Sequence, residues 1–180
     1  MEEPLTMNND NSVALLEMLN AREMRSVLQK QLLQQYRKPL ICLTLNIPGP
    51  VKLLPGVPEA FAEGCRRIEE TLQEHLILIS NFRTEKEKTG YEAFYSVDAS
   101  PEYVKELMTA LEDQDALGRL FDIDVLNVNG TKISREELGQ LARRCLICDE
   151  PAHACSRSRK HTVEELTARV SEILKPFTSC

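Results

Sequence analysis

Hydrophobic residues recur along this chain with two different spacings, which predict a mixture of helices and strands. Leucines and methionines follow helical spacing over residues 12–36, a stretch without glycine or proline that predicts a long N-terminal helix or a broken pair of helices. Helical spacing returns in three further segments: residues 58–75, the segment that begins at Ser100-Pro101, and residues 162–177. Apolar runs bounded by turn residues predict strands at residues 40–47, 76–82, 91–97, within 118–126, and at 131–133.

These elements follow one another in the order strand, helix, strand, strand, helix, strand. That order is the split βαβ pattern of ferredoxin-like α+β folds, in which an antiparallel sheet carries helices on one face and leaves the other face open. A charged connector is expected at residues 81–90, and Asn129-Gly130 predicts a hairpin turn. We expect a single domain over residues 1–180, made of the N-terminal helix 12–36, an α+β core 39–134, a basic Cys/His segment 143–161 and a C-terminal helix 162–177.

Composition and charge narrow the class of protein. The chain has 180 residues, of which 42% are hydrophobic, enough for one domain with a true core. Its net charge of −6 argues against nucleic acid as a partner, and no apolar run approaches the ~20 residues needed to cross a membrane. The acidic start at residues 1–4 lacks the apolar stretch of a secretory signal, which predicts a cytoplasmic protein whose six cysteines are reduced.

Two aspartates lie within one predicted strand at a spacing of two residues. Asp122 and Asp124 alternate with apolar neighbours, so both carboxylates should point to the same face of the sheet. Their backbones would lie roughly 6.6 Å apart, which allows the carboxylates to converge on a divalent cation that holds a phosphate. The alternative is an edge strand with one solvated face.

A second group of candidate residues follows the predicted core. Cys145 and Cys148 form a C-x2-C pair, and Cys155 and His161 follow at short spacing, giving the Cys3His donor set of a closed tetrahedral Zn2+ site. The alternative is a small lid whose cysteines pack as small apolar residues. A redox C-x2-C is less favoured, because such motifs usually open a helix after a strand.

The same segment is basic within an acidic chain. Residues 143–161 contain five Arg or Lys against two acidic residues. Arginines next to Ser156 and Ser158 are suited to bind phosphate oxygens, although a solvated basic loop would look the same. A carboxylate pair for a metal and a separate basic segment together indicate a polyphosphate substrate.

Three motifs in combination resemble one known family. They are GRLFDIDVL at residues 118–126, RRCLxC from Arg143 with CxR from Cys155 and the later His161, and PGPVK at residues 48–52. The chain resembles the apo-citrate lyase phosphoribosyl-dephospho-CoA transferase family, also called holo-citrate lyase synthase. The resemblance extends from about Ser12 to the C-terminal helix.

The resemblance implies a nucleotidyltransferase with a nucleotidyltransferase-like fold. Its substrate would be triphosphoribosyl-dephospho-CoA, and its acceptor a serine on the acyl carrier (gamma) subunit of citrate lyase, with pyrophosphate as the leaving group. Asp122 and Asp124 match the family's D-x-D and would hold Mg2+. The chain departs from related transferases where Arg119 follows Gly118 in place of serine, and Asp98 is the one candidate for a third carboxylate.

The remaining site residues are assigned as a hypothesis. Arg119 is placed with the catalytic carboxylates, and six residues are expected to bind the triphosphate substrate: Lys52, Gly118, Arg143, Arg144, Arg157 and Arg159. Two other functions stay open. One is a non-catalytic ferredoxin-like binding module, and the other is a zinc-stabilised interaction domain centred on the cysteine segment.

Overall fold

The computed structural model describes residues 11–178, so the acidic segment 1–4 lies outside the described residues. The strands are β1 (Leu40–Leu45), β2 (Ile79–Glu87), β3 (Gly90–Val97) and β4 (Phe121–Leu126). The helices are α1 (Leu15–Tyr36), α2 (Val57–Glu74), α3 (Pro101–Asp113), α4 (Ala152–Ser158) and α5 (Val163–Leu174). Of the described helices, none is long and apolar enough to span a bilayer.

The four strands form one antiparallel sheet in the order β2-β3-β1-β4. β1 lies between β3 and β4, with Leu43 opposite both Ala93 and Ile123. Each of the two βαβ units therefore has a strand of the other unit inserted between its own strands. This confirms the α+β class and the split βαβ order predicted from the sequence.

Helices pack on both faces of the sheet, and α1 covers part of the face that was expected to be open. Helices α2, α3 and α5 pack on the face that carries Ile41, Tyr95 and Val125. On the opposite face, leucines of α1 contact Leu40 and Phe94. The physical reason is visible in β1, where four consecutive residues are buried, because a strand with apolar side chains on both faces needs a partner on each.

Two element boundaries differ from the sequence prediction. The charged connector expected at residues 81–90 is mostly the second half of β2, followed by a tight turn into β3. β2 is an edge strand with largely exposed side chains, and Arg83 pairs with Glu85 at 2.6 Å, so its charges remain solvated within a regular strand. Residues 131–133 form no strand, only an isolated bridge from Lys132 to Leu126, although the predicted turn at Gly130 is present with φ of 86°.

The helix start that Ser100-Pro101 predicts is confirmed. Ser100 accepts a hydrogen bond from the backbone N–H of Tyr103 at 3.2 Å and begins α3. Thr162 and Glu165 form a reciprocal capping box that begins α5. The short helix α4 has no side-chain cap, and no sequence signal predicted it.

Candidate functional site

The carboxylate pair of β4 has the alternating placement that its sequence predicts. Asp122 and Asp124 are partly exposed, whereas Phe121, Ile123 and Val125 between and beside them are buried. Each carboxylate has a cationic partner within the chain. Arg143 Nη1 lies 3.1 Å from Asp122 Oδ1, and Lys132 Nζ lies 2.5 Å from Asp124 Oδ1.

Side chains satisfy the outer edge of β4 over Phe121 and Ile123, and the backbone N–H of Ile133 donates to the carbonyl of Val125 at 2.9 Å further along. The backbone N–H of Ile123 donates to Glu112 Oε1 at 2.8 Å, and the Ile123 carbonyl accepts from Lys105 Nζ at 2.7 Å. Arg143 Nη2 donates to the carbonyl of Phe121. These contacts fix the backbone on both sides of Asp122, so the direction of its carboxylate is set by buried hydrogen bonds.

Lys105, Glu112 and Arg135 form a buried charged network behind the carboxylate pair. Arg135 Nη2 lies 2.5 Å from Glu112 Oε2, and Glu112 is 4% exposed. Burial lowers the pKa of Lys105, and the charges of Glu112 and then Asp124 oppose that shift. Lys105 and Glu112 are seven residues apart on α3 and therefore lie on the same side of the helix, the one signal by which sequence reasoning could have found them.

Gly118 and Arg119 form a short 3-10 turn that leads into β4. The backbone N–H of Gly118 donates to Asp115 Oδ1 at 2.7 Å. A Cβ atom on Gly118 would lie 2.2 Å from the carbonyl oxygen of Leu111, so a glycine is needed for the close approach of this turn to α3. Gly118 is buried in this position, and its observed contacts are with α3.

Arg119 and Arg143 connect β4 to the cysteine segment. Arg119 Nη2 donates to the carbonyl of Cys145. Arg143 Nη2 donates to the carbonyl of Arg119 at 2.7 Å while its Nη1 contacts Asp122. The sequence separated these motifs by about twenty residues, and the structure brings them into direct contact.

A cavity of about 520 Å³ opens beside this connection. Four of the arginines predicted from the sequence line it, together with the loop after β1, the cysteine segment and the start of α5; the lining residues are Asn46, Pro48, Arg119, Arg143, Arg144, Cys145, Leu146, Ala152, Cys155, Ser156, Arg159, His161, Thr162, Val163 and Leu166. Gly49 has φ of 76°, and a Cβ atom on it would lie 3.3 Å from Val163 Cγ1, so the loop at residues 48–52 passes close to the start of α5. The cavity thus has a cationic wall and an apolar wall.

Three predicted substrate-binding residues do not line this cavity: Gly118, which is buried against α3, Arg157 and Lys52. Arg157 is exposed on α4. Lys52 Nζ donates to the carbonyl of Ile47 at 2.7 Å, and burial, with a further effect of Arg22, lowers the pKa of Lys52. Lys52 therefore supports the loop at residues 48–52 in this arrangement.

The Cys/His segment brings its four predicted ligand side chains together. One ligand atom from each of Cys145, Cys148, Cys155 and His161 lies within 4.8 Å of all the others. Cys148 Sγ is 3.4 Å from Cys155 Sγ and 3.3 Å from His161 Nε2. Burial, followed by the neighbouring thiols, raises the pKa of Cys155 to about 12, as expected where thiols crowd one another.

Asp98 lies far from the carboxylate pair. It pairs with Lys38 at 2.7 Å beyond the start of β1, whereas Asp122 lies opposite Thr44 near the end of β1. Six residues of strand separate these positions by about 20 Å, so Asp98 is not a third carboxylate of this site. Within residues 11–178, the only group of three or more Cys, His, Asp or Glu side chains with converging ligand atoms is the Cys3His group.

Together these features define an α+β protein in which a carboxylate pair is joined, through Arg143, to an arginine-lined cavity suited to phosphate groups. Similarity to known proteins identifies the family. The family model described as apo-citrate lyase phosphoribosyl-dephospho-CoA transferase matches residues 13–177. The chain therefore belongs to that family.

Individual relatives agree with the family model. A protein of Vibrio cholerae named probable apo-citrate lyase phosphoribosyl-dephospho-CoA transferase is 37% identical over 172 residues, covering 95% of this chain and 97% of its own length. A protein of the same name from Streptococcus pyogenes is 37% identical over 176 residues, covering 96% of this chain and 91% of its own. Protein CitXG of Haemophilus influenzae is 32% identical over 163 residues, which are 91% of this chain but 35% of that longer protein.

Proposed function

We propose that this protein attaches the prosthetic group of citrate lyase to the acyl carrier (gamma) subunit of that enzyme. The donor is triphosphoribosyl-dephospho-CoA and the acceptor is a serine hydroxyl of the carrier subunit. The serine oxygen loses its proton to solvent and forms a bond to the innermost phosphorus of the triphosphate as the bond to the outer two phosphates breaks, which yields a phosphodiester and pyrophosphate. Family membership supports the proposal, and the observation that carries it is the contact of Arg143 with Asp122 at the edge of the cavity.

The cavity wall accounts for most of the charge that a triphosphate needs. Arg119, Arg143, Arg144 and Arg159 each contribute a guanidinium group, which binds phosphate oxygens in a planar, bidentate manner. In phosphoryl and nucleotidyl transfer the protein mainly positions the reacting groups and stabilises charge. These arginines would bind and orient the substrate, while the apolar wall near Val163 and Leu166 would exclude water from part of it.

Asp122 and Asp124 are the residues that would hold Mg2+. They fit the ion, because Mg2+ in such enzymes is bound through one or two carboxylates together with substrate phosphates, and these two carboxylates share one partly exposed face. When bound, Mg2+ would offset the charge that develops on the phosphate oxygens. Arg143 and Lys132 orient the two carboxylates, and the hydrogen bonds at Ile123 hold their backbone.

The decisive experiment is mass spectrometry of apo carrier subunit incubated with this protein, triphosphoribosyl-dephospho-CoA and Mg2+. We expect the carrier to gain the mass of the prosthetic group, with one pyrophosphate released for each group attached. A carrier that binds this protein but gains no mass would indicate a binding module and would overturn the proposal.

Substitution of the carboxylates tests the metal separately. Asp122→Asn and Asp124→Asn should each fold normally, because both residues are partly exposed, yet lose most transferase activity. Asp98→Asn is the matched control, since Asp98 lies at the opposite end of β1, and it should keep full activity. Full turnover by both site variants would exclude the role of these carboxylates while leaving the transferase function intact.

A further inference from the structure

The four side chains of the Cys/His segment meet with the spacing of ligands around one ion. Tetrahedral Zn2+ binds sulfur at about 2.3 Å and nitrogen at about 2.0 Å, which places ligand atoms about 3.5 to 3.8 Å from one another. The observed contacts of Cys148 with Cys155 and His161 are 3.4 Å and 3.3 Å, and all four atoms lie within 4.8 Å. We propose that Cys145, Cys148, Cys155 and His161 bind one Zn2+ ion as a closed structural site.

Local backbone structure explains how the short segment reaches this geometry. The backbone N–H of Cys145 donates to the carbonyl of Glu150 at 2.9 Å, which closes a tight loop and turns Cys148 back toward Cys145. α4 then presents Cys155, and it ends because Arg159 adopts the left-handed conformation with φ of 49°. That turn returns His161 to the thiols.

A disulfide bond, a redox pair and simple apolar packing each fit the cluster less well. The sulfur atoms of Cys148 and Cys155 are 3.4 Å apart, whereas a disulfide bond requires about 2.05 Å. Cys145 and Cys148 do not open a helix, because α4 begins only at Ala152, so the pair lacks the setting of a redox C-x2-C. Apolar packing gives no reason for an imidazole nitrogen to point at a thiol, as His161 does at 3.3 Å.

The proposed ion would fix the cationic wall of the cavity. Arg119 donates to the carbonyl of the ligand Cys145, and Arg143 lies two residues before that ligand. Arg159 lies two residues before the ligand His161 and also lines the cavity. Zn2+ would thereby hold in position arginines that it does not itself contact. The proposed function assigns these arginines to the substrate, so this second part of the inference rests on that function.

Metal analysis tests the site without reference to activity. Protein purified without added metal and under reducing conditions should contain about one equivalent of zinc per chain. Cys148→Ser and His161→Ala should lower that content to less than about a tenth of an equivalent. Cys65→Ser is the matched control, because Cys65 lies on α2 outside the cluster, and it should keep the zinc.

A conservative variant distinguishes ligation from packing. His161→Cys should retain zinc, since four cysteines are also a structural Zn2+ donor set, whereas a packing role would make His161→Cys and His161→Ala equally free of metal. Zinc below about a tenth of an equivalent in the unmodified protein, or iron in its place, overturns the inference. These outcomes hold even if a variant is less stable, because the unmodified protein is measured first.

A kinetic measurement tests the positioning role. Removal of zinc by a chelator should raise the KM for triphosphoribosyl-dephospho-CoA about tenfold or more and lower the melting temperature, and addition of Zn2+ should reverse both. If the protein binds zinc but its KM does not change when the zinc is removed, the ion contributes only to stability and the positioning role is overturned. If no transferase activity exists at all, the zinc content still stands as the test of the site itself.

Discussion

Single residues determine which side chains of the basic segment can meet a substrate. Arg157 and Arg159 look equivalent in the sequence, yet only Arg159 lines the cavity, because the left-handed turn at the end of α4 directs the two side chains differently. A sequence pattern fixes the spacing of such residues along the chain but not the direction in which an irregular turn sends them. The placement of Asp122 and Asp124 was predictable, because side chains on a regular strand point to only two faces of the sheet.

The two arginines therefore provide a matched pair of substitutions. Arg159→Ala should raise the KM for triphosphoribosyl-dephospho-CoA about tenfold, the effect of losing one charge-assisted hydrogen bond. Arg157→Ala should leave KM within about twofold. The loss in Arg159→Ala should be larger at low ionic strength, where the electrostatic interaction is less screened. Equal effects of both substitutions in steady-state kinetics would contradict this assignment of the cavity.

Among the elements, β4 relies on side chains from outside the sheet to satisfy the backbone groups of one edge. One edge of β4 pairs with β1, and most of the other edge is satisfied by the side chains of Lys105, Glu112 and Arg143. The sequence indicated the strand from its apolar alternation but did not indicate these partners, because buried charges on α3 look like ordinary solvated helix residues. The extent of β2 was missed for a related reason: an edge strand exposed on both sides has no apolar alternation.

Glu112 offers a direct test of this network. Glu112→Gln should lower the free energy of unfolding by about 1 to 3 kcal/mol, because it weakens the charge-assisted contact of the buried Glu112 with Arg135, which then keeps only the exposed Asp113 as its carboxylate partner. Glu106→Gln, on the exposed side of the same helix, should change it by less than about 0.5 kcal/mol. Urea unfolding followed by circular dichroism measures both, and a Glu112→Gln protein as stable as the control would show that the network is not required.

At the scale of the whole molecule, α1 covers part of the second face of the sheet. Its contact with the sheet depends on only a few leucines, with Leu32 at 4% exposure, while Leu16 near its start is 68% exposed. The sequence predicted this helix but not the face that it covers, since the apolar residues of α1 are distributed around the helix. The continuous apolar run of β1 was the available signal, because it predicts burial on both faces of the sheet.

Two leucine substitutions on α1 test that arrangement. Leu32→Ala should lower the free energy of unfolding by about 2 to 5 kcal/mol, because it opens a cavity against β1 and β3. Leu16→Ala should change it by less than about 0.5 kcal/mol, because that side chain is mostly in solvent. Similar losses in both variants by thermal or urea unfolding would mean that the start of α1 is also packed.

The strand order imposes a sequence of events on the growing chain. β1 is synthesised first but occupies the middle of the sheet, so it remains unpaired until β3 and then β4 have left the ribosome. The β2–β3 hairpin is local and closes early, whereas the pairing of β1 with β4 joins residues about eighty positions apart and has to wait for Leu126. A nascent chain that stalls before residue 121 would therefore expose one edge of a strongly apolar strand, the kind of edge from which chains associate with one another.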